Sequence, residues 1–302
     1  MAAVLAVVSV ISYLLILMTP GDAATTMARQ RAGVGASAEL VAEIRKEIGL
    51  DQPVPVQYAR WISGVARGDF GISLRTRRSI SADIAARLPV TLLLAGGAAV
   101  FALVIALPLG AISAMRSGSR VDRAVRTLAF VSVSSPTFWV GFVLVLVFSL
   151  KLRLTPTFGM TDISSMILPW IALGLPFAGS LCLLIRTMLR SDLARLHTTT
   201  AYAKGLRTRG VVVRHALPNV LPPVVAVFGA QLGLMISGAI LVEIIFAWPG
   251  LGSYFLSSVS FRDIPAIQAS VMVFAAFFIV LNALADVTQR LLDPRMREGV
   301  AA

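Results

Sequence analysis

Six long runs of apolar residues, separated by polar segments, dominate the pattern along this chain of 302 residues. The runs cover residues 2–18, 90–115, 124–150, 166–185, 221–246 and 266–287. A helix needs roughly 20 apolar residues to cross a bilayer core, where the backbone must satisfy its own hydrogen bonds. The runs are continuous rather than alternating, which argues against a membrane barrel. The pattern therefore predicts one all-α integral membrane domain over residues 1–302, with about six transmembrane helices.

The first run, residues 2–18, leaves two interpretations open. Its length gives a helix of about 25 Å, which barely crosses the hydrocarbon core. A cleaved signal peptide is the alternative, but no basic stretch precedes the run, and Thr19 to Asp22 form a poor cleavage site. We interpret the run as a first span and expect the natural chain to start some residues upstream.

A polar segment over residues 20–88 follows the first run and carries two stripes of apolar residues at helical spacing. The first stripe precedes Gly49 and the second precedes Gly68, and glycine commonly ends a helix. The stripes consist of Leu40, Val41, Ile44 and Ile48, and of Val54, Tyr58, Trp61, Ile62 and Val65. We interpret both as surface helices that lie on the membrane or on other helices, not as catalytic elements.

The charge pattern predicts the topology. The chain has 27 basic and 15 acidic residues, a net charge of +12, and the basic residues fall mostly between the apolar runs. Such a distribution indicates membrane orientation rather than binding of nucleic acid. The basic loop 116–123, segment 186–219 and tail 288–302 should be cytoplasmic, with both termini inside a bacterial inner membrane. Segment 20–88 is also basic, but it exceeds the length of about 60 residues to which the rule applies, so we place it outside.

The sequence contains no energy source of its own. It lacks a G-x-x-x-x-G-K-[S/T] phosphate loop, so we expect no enzyme activity and no bound cofactor. Only Glu243 and Asp286 are acidic within the spans, and each is interpreted as an interfacial carboxylate with its head in water. His197 and His215 are both cytoplasmic, so no metal site lies along the spans, and Cys182 is expected to be a buried, inert thiol.

The cytoplasmic segment between the fourth and fifth runs predicts a helix, a turn and a second helix. Small residues and threonines lead to Gly205, which permits a sharp helix end, and Pro218 helps to restart the chain into the fifth run. A short exposed helix of this kind suits docking into a groove of another protein. A basic loop that only sets topology is the alternative, and physical reasoning leaves the two even.

At this point the sequence resembles the permease subunits of binding-protein-dependent ABC importers. Their signature is a cytoplasmic E-A-A, three residues, and glycine, followed by a hydrophobic residue, leucine and proline. Here Thr199-Thr200-Ala201 occupies the E-A-A position and Gly205 follows at the right spacing, with Ala216-Leu217-Pro218 downstream. Thr199 and Thr200 depart from the signature, which affects the contacts expected of these two residues, whereas the A-K-G-L core over 203–206 is intact.

Further motifs resemble the dipeptide, oligopeptide and nickel permeases, most closely the B-type subunit of dipeptide permeases. They follow the family order and include Pro20-Gly21-Asp22, Gly49-Leu50-Asp51-Gln52-Pro53, Gly68-Asp69-Phe70-Gly71, Ser135-Pro136-Thr137-Phe138, the segment 242–252 and Leu292-Asp293-Pro294-Arg295. The resemblance implies the type I permease fold with a large extracytoplasmic segment. It also implies a second homologous permease, two ATPase subunits that use ATP and Mg²⁺, an extracytoplasmic binding protein and transport by alternating access.

The resemblance assigns roles to particular residues. The coupling contact with an ATPase would involve Thr199, Thr200, Ala201, Lys204, Gly205, Leu206, Arg207 and Pro218. Polar residues within the runs are candidates for the translocation path, namely Ser132, Ser135, Gln231, Ser237 and Asn282, although small residues also serve helix packing. Glu243 and Trp248 are candidates for an outer gate, and Trp248 could equally be an interfacial anchor.

Peptides are the expected substrates, with nickel chelates, glutathione or another small solute as alternatives. A self-contained carrier would need midplane charges or an inverted repeat, and neither is evident. An intramembrane enzyme ranks last, because no Ser/His pair or H-E-x-x-H motif lies in a run.

Overall fold

The structure, a computed structural model, describes residues 2–17, 23–32, 37–47 and 49–292. Its regular elements within those ranges are helices. In chain order they are α1 (Ala2–Leu17), α2 (Ala23–Ala32), α3 (Ala38–Glu47), α4 (Val54–Ala66), α5 (Ile80–Met115), α6 (Arg120–Ser134), α7 (Thr137–Leu144), α8 (Ser164–Leu193), α9 (Leu196–Ala203), α10 (Thr208–Val211), α11 (Leu217–Ile245), α12 (Leu251–Ser260) and α13 (Ile264–Leu292). Two π-helical turns, Val145–Lys151 and Val212–Ala216, extend α7 and join α10 to α11. Residue 18 of the predicted first span, residues 20–22 and tail residues 293–302 lie outside the described ranges.

Four helices are long and apolar enough to cross a membrane within the described part of the chain. They are α5, α8, the continuous stretch Thr208–Ile245 and α13. The pair α6 and α7 makes a fifth if it counts as one span, and α1 is apolar but shorter than a full span. The apolar segments therefore lie where the six runs predicted them.

The third predicted span, residues 124–150, is not one straight helix. It consists of α6 and α7 with the following π-helical turn, and the two halves are bent by 105°. Ser135 adopts an extended backbone with ψ of 123°, and Pro136 follows it. Proline lacks an N–H and disfavours the helical conformation of the residue before it, so this dipeptide breaks the helix. The third run therefore forms two helices joined at a bend.

Several helix ends differ from the predicted limits. Helix α5 begins at Ile80, before the predicted start of the second run at residue 90. Helix α8 continues to Leu193, eight residues beyond the predicted end of the fourth run. The extension matters because it carries the chain from the apolar core to the coupling segment without a break.

The described residues divide into two compact units. The first contains residues 1–89 and 253–277, and the second contains residues 90–252 and 278–302. In the first unit, α4 occupies the second predicted amphipathic stripe and packs on α1. Tyr58 and Trp61 of α4 contact the Tyr13 ring at centroid distances of 5.5 and 5.6 Å, and the Tyr58 hydroxyl lies 2.7 Å from Ser9 Oγ. This stripe therefore lies on another helix, one of the two expected alternatives.

A buried tyrosine marks the part of the first unit near the start of α12. The Tyr254 ring lies under the Arg87 guanidinium, 5.0 Å from ring centroid to carbon. Burial of the hydroxyl, together with the nearby carboxylates Asp83 and Asp263, raises the pKa of Tyr254 to about 12. The phenol therefore stays protonated at neutral pH.

In the second unit, α8 is the central helix and packs against α5, α6, α7 and α11. Glycines allow the close approaches. A Cβ added at Gly174 would lie 2.6 Å from the Ala98 carbonyl oxygen of α5, and one at Gly179 would lie 2.7 Å from that of Ala129 in α6. Small residues permit such contacts between membrane helices, where apolar burial alone gives no preference for neighbours over lipid. Cys182 is buried among these helices, as expected.

Candidate functional site: the coupling segment and its anchors

The segment after α8 forms the predicted helix, turn and helix. Helix α9 ends at Ala203, and Gly205 follows with φ of +81°, a left-handed conformation that favours glycine. The Gly205 amide donates to the Tyr202 carbonyl at 2.9 Å, and the Leu206 amide donates to the Ala201 carbonyl at 3.3 Å. This pair of bonds is a Schellman motif, which satisfies carbonyls at a helix end. The glycine therefore fixes the angle at which α9 meets α10.

The turn presents a mixed surface to solvent. Leu196 is 86% exposed and Tyr202 is 39% exposed, although both are large and apolar or aromatic. Thr200, Lys204, Arg207 and Pro218 are also exposed, and Leu206 is half-buried. An exposed apolar patch bordered by basic groups is typical of a surface that binds another protein. Thr199 lies in α9, and its side chain is outside the described part of the structure.

One predicted contact residue lies on the inner side of the turn. Ala201 is only 6% exposed, and Thr198, one turn earlier, is fully buried. Their side chains attach α9 to the rest of the chain and do not face outward. The sequence analysis selected Ala201 as a contact residue and missed Leu196 and Tyr202. These two could have been recognised as an apolar and an aromatic residue within an otherwise polar stretch.

Asp192, near the end of α8, anchors α9. The Thr198 hydroxyl donates to the Asp192 carbonyl at 2.9 Å, and His197 Nε2 lies 3.2 Å from the Asp192 carboxylate. Arg195 Nη1 lies 3.5 Å from the other carboxylate oxygen. Asp192 is 4% exposed and its bond to Thr198 is buried, whereas the Arg195 and His197 side chains are 65% and 44% exposed, so one buried hydrogen bond and two partly exposed contacts tie the end of α8 to the start of α9. Its signal in the sequence was an isolated acidic residue within a strongly basic segment.

A second buried carboxylate, Asp122 of α6, binds Arg186, which lies about two turns before Asp192 on α8. Arg186 of α8 donates to Asp122 of α6 through Nε at 2.6 Å and through Nη2 at 2.8 Å. The Ser113 hydroxyl, from the end of α5, donates to the same carboxylate at 2.5 Å, and the Gly118 amide donates at 2.8 Å. Asp122 is 1% exposed and Arg186 is 9% exposed. This arrangement, here called the Asp122 clasp, joins three helices at one charged group.

The two serines predicted for the translocation path lie together at one cavity. The cavity has a volume of about 440 Å³ and lies on the inner side of the α6–α7 bend, where Ser132 and Ser135 contribute to its wall. Both hydroxyls donate to carbonyls of their own helix, at 2.8 and 2.7 Å. The rest of the wall is formed by Ile105, Leu109, Val125, Leu128, Ala129, Val131, Trp139, Val140, Val143, Leu144, Leu175, Ala178, Gly179 and Cys182. A wall of this composition suits apolar groups rather than a charged peptide.

The other three path candidates do not line this cavity. Gln231 of α11 is 9% exposed, and its amide nitrogen donates to Ser180 Oγ at 3.1 Å. Ser237 is exposed on the same helix, and Asn282 of α13 donates to the Phe278 carbonyl at 2.8 Å. The polar path therefore stays a prediction from the sequence.

Glu243 and Trp248, the gate candidates, are both buried in the second unit, at 0% and 1% exposure. The expectation of a Glu243 carboxylate in water was wrong. The chain folds back after α11, and Thr91 Oγ1 donates to the Glu243 carboxylate at 2.5 Å. The Leu251 amide donates in turn to Thr91 Oγ1 at 2.8 Å, which closes this fold over the carboxylate. Trp248 packs in the core rather than at an interface.

Two family models cover the chain. Residues 106–298 match "Binding-protein-dependent transport system inner membrane component", and residues 1–95 match the N-terminal model of the same kind of membrane component. The chain belongs to this family. It is a multi-pass inner-membrane permease subunit of an ABC importer, which confirms the resemblance drawn from the motifs.

Curated relatives of this permease match it over nearly its whole length. It is 37% identical over 293 residues to the glutathione transport system permease protein GsiC of Salmonella paratyphi A, with 97% of this chain and 94% of that protein covered. The GsiC protein of Escherichia coli strain K12 is also 37% identical, over 291 residues, with 96% and 94% covered. These matches therefore include residues of both compact units of the permease.

Solved structures confirm the type I ABC permease fold. An inward-facing structure of the MetNI methionine ABC transporter matches with a TM-score of 0.61 at 15% identity, covering 70% of this chain and 96% of that chain. An amino acid ABC transporter with histidines matches with a TM-score of 0.54 at 13% identity, covering 70% and 94%. At these identities the likeness concerns the fold alone.

Proposed function

We propose that this permease forms one half of the path through which an ABC importer moves short peptides into the cell. A second homologous permease forms the other half. Two ATPase subunits, which use ATP and Mg²⁺, drive the pair from the cytoplasm, and a binding protein delivers substrate from outside. In this arrangement both termini and segment 186–219 are cytoplasmic, and residues 20–88 are extracytoplasmic.

The coupling turn is the observation that supports this role most directly. Leu196, Tyr202, Lys204 and Arg207 face outward from a turn whose inner side is fixed by the buried Thr198. A short helix with exposed apolar and basic side chains fits a groove on another protein. Because the turn is held by the Schellman bonds, a push on α9 moves the turn as one body.

The anchors provide the connection from the turn to the membrane helices. Asp192 ties α9 to the end of α8, and Arg186 ties α8 to Asp122 of α6. ATP binding can shift the equilibrium between inward- and outward-facing states only if the two states hold the ATPases differently. Movement of α9 is transmitted along α8 to the clasp, so α5, α6 and α8 rock together about the path.

Glutathione is the first substrate to test within the peptide class. The curated relatives at 37% identity are named as glutathione permeases, and glutathione is a tripeptide. Other short peptides come next, and nickel chelates remain the alternative in the same importer class. Selection among them rests mainly with the binding protein, which is a separate chain.

The test begins with purification of the complex from its native membrane in mild detergent, with its subunits identified by mass spectrometry. The complex is then reconstituted into vesicles with its binding protein, and uptake of radiolabelled glutathione, a dipeptide and a nickel chelate is measured with and without ATP. We expect uptake of a peptide that requires both ATP and the binding protein. Uptake that needs neither, by a chain purified without ATPase subunits, would refute the proposal.

A further inference from the structure

A tight turn over residues 72–79, in the first unit, carries three exposed arginines. Its ends are joined by a bridge between Ile72 and Ser79, and the Ser73 amide donates to the Arg78 carbonyl at 3.0 Å. At the tip, the Arg77 amide donates to the Ser73 carbonyl at 3.0 Å. Arg75, Arg77 and Arg78 are all exposed. This segment is here called the arginine turn.

A buried carboxylate holds the arginine turn to the loop between α12 and α13. Asp263, which is 3% exposed, accepts hydrogen bonds from the Ser73 hydroxyl and from the Leu74 amide at 3.1 Å. The Arg75 amide adds a longer bond of 3.4 Å to the same carboxylate. The contact spans 190 residues of sequence. The turn is therefore fixed in position, and the Asp263 carboxylate is engaged by these bonds.

The α12–α13 loop adds an aromatic ring and a fourth arginine to the same surface. The Arg75 guanidinium lies 3.7 Å from the ring centroid of Phe261 and donates to Ser257 Oγ at 2.6 Å. Phe261 is 60% exposed, and Arg262 beside it is exposed as well. Cation–π contact fixes an arginine without neutralising it. The arginine turn and this loop together present four exposed arginines and an exposed aromatic ring.

Two backbone conformations in this surface are unusual. Arg77 has φ of 59° and Arg262 has φ of 55°, a left-handed region that side-chain-bearing residues rarely adopt. Such conformations persist where the surrounding structure fixes them, and they concentrate at functional sites. Among the described residues, Arg77, Arg78 and Arg262 form no ion pair. Their charges are therefore presented at defined positions and left open.

Membrane orientation does not account for the arginines of this turn. Residues 20–88 exceed the length of about 60 residues to which the positive-inside rule applies, so the rule neither requires nor forbids an exposed basic cluster there. Between residues 47 and 150 every basic residue is arginine and none is lysine. Arginine binds carboxylates through a planar fork, and arginine and aromatic residues are enriched at the centres of protein interfaces.

We propose that Arg75, Arg77, Arg78 and Arg262, together with Phe261, form a docking surface for a carboxylate-rich patch on the extracytoplasmic binding protein. The inference rests on the importer function proposed above. Anionic lipid head groups share the carboxylate's charge but are mobile, so they would gain little from a turn fixed by Asp263 and by strained backbone. A folded protein with carboxylates at fixed positions fits the fixed geometry.

The test measures association of the purified binding protein with the reconstituted complex in nanodiscs. The double variant Arg77→Glu, Arg78→Glu reverses two charges that no described side chain pairs with. Arg60→Glu on α4 is the matched control, since it makes the same type of change in the same segment. We expect the double variant to slow association about tenfold or more at low salt, with convergence on wild type as salt screens the charges. Wild-type association should itself slow as salt rises.

Several outcomes would overturn the proposal. Association of the double variant at the wild-type rate would do so, as would equal slowing by Arg60→Glu or a wild-type rate that ignores salt. Reduced binding to phosphatidylglycerol vesicles with unchanged binding-protein association would assign the surface to lipid instead. If the double variant does not assemble, Arg77→Gln and the wild-type salt series still decide the question. The variants should still show ATP-driven uptake when the binding protein is saturating. Absence of ATP-driven uptake in the wild-type complex would count against the proposed importer function and not against the docking surface.

Discussion

Substitution of Asp122 by asparagine should destabilise the permease by about 3 kcal/mol, because it breaks a buried ion pair and leaves Arg186 without a counter-charge. Asparagine keeps the shape of the side chain but places an amide group, itself a donor, where Gly118 N–H or the Arg186 guanidinium now donates. Since 1.4 kcal/mol corresponds to a tenfold change, the unfolding equilibrium should shift about a hundredfold.

Arg126 provides a matched control for this prediction. Its Nε lies 4.0 Å from the same carboxylate, and its side chain is 43% exposed, whereas that of Arg186 is 11% exposed. The Arg126 side chain is partly exposed, and its Nε, buried without a hydrogen bond, lies too far from the carboxylate to donate to it, so this contact contributes much less than the two short bonds from Arg186. Arg126→Gln should therefore have little effect, and Arg186→Gln should cost about as much as Asp122→Asn. The double variant Asp122→Asn, Arg186→Gln should show a coupling energy of roughly 2 kcal/mol.

The assay is reversible unfolding in mixed micelles as the fraction of sodium dodecyl sulfate rises, followed by the fluorescence of the four tryptophans. Equal destabilisation by Arg126→Gln and Arg186→Gln would refute the argument from burial. A coupling energy near zero would show that the pair at 2.6 Å does not stabilise the fold, whatever its geometry.

Two further predictions concern glycines with matched neighbours. Gly205→Ala should reduce ATP-driven uptake several-fold while the protein still assembles, because a left-handed backbone costs an L-residue roughly 1–2 kcal/mol. Gly205→Asn should retain much of the uptake. The control Gly210→Ala should leave uptake unchanged, because the added Cβ meets open space. Uptake by Gly205→Ala at the wild-type rate would contradict the coupling assignment. Gly97→Ala should destabilise the fold by about 1–3 kcal/mol, because its Cβ would overlap the Trp170 ring. Gly96→Ala should not, because its Cβ meets open space. Equal free energies of unfolding for the two variants in the mixed-micelle assay would contradict the close packing.

The local elements were accessible from the sequence. Hydropathy located the apolar segments, and the spacing of Ala201 and Gly205 located a helix end that the structure forms by a Schellman motif. The break at Ser135 and Pro136 was also visible as a dipeptide that disfavours helix, but the continuous hydropathy across it favoured a single span. Each of these features depends on residues within one or two turns of each other.

The pairings between helices were not accessible in the same way. Asp122 and Arg186 are 64 residues apart, and Ser73 and Asp263 are 190 residues apart. Hydropathy marks Glu243 as a residue near a span end, and only the fold-back of the chain after α11 shows that its carboxylate is fully buried beneath Thr91 and Leu251.

By itself, the sequence therefore determined the membrane class, the order of the helices, the helix end at Gly205 and the family. Each follows from backbone hydrogen bonding in lipid or from a motif carried by neighbouring residues. The tertiary structure decided which charges are buried in pairs and which are left exposed. The rotation of each helix and the close approach at its small residues settle those contacts, and neither is encoded in the periodicity of a single segment.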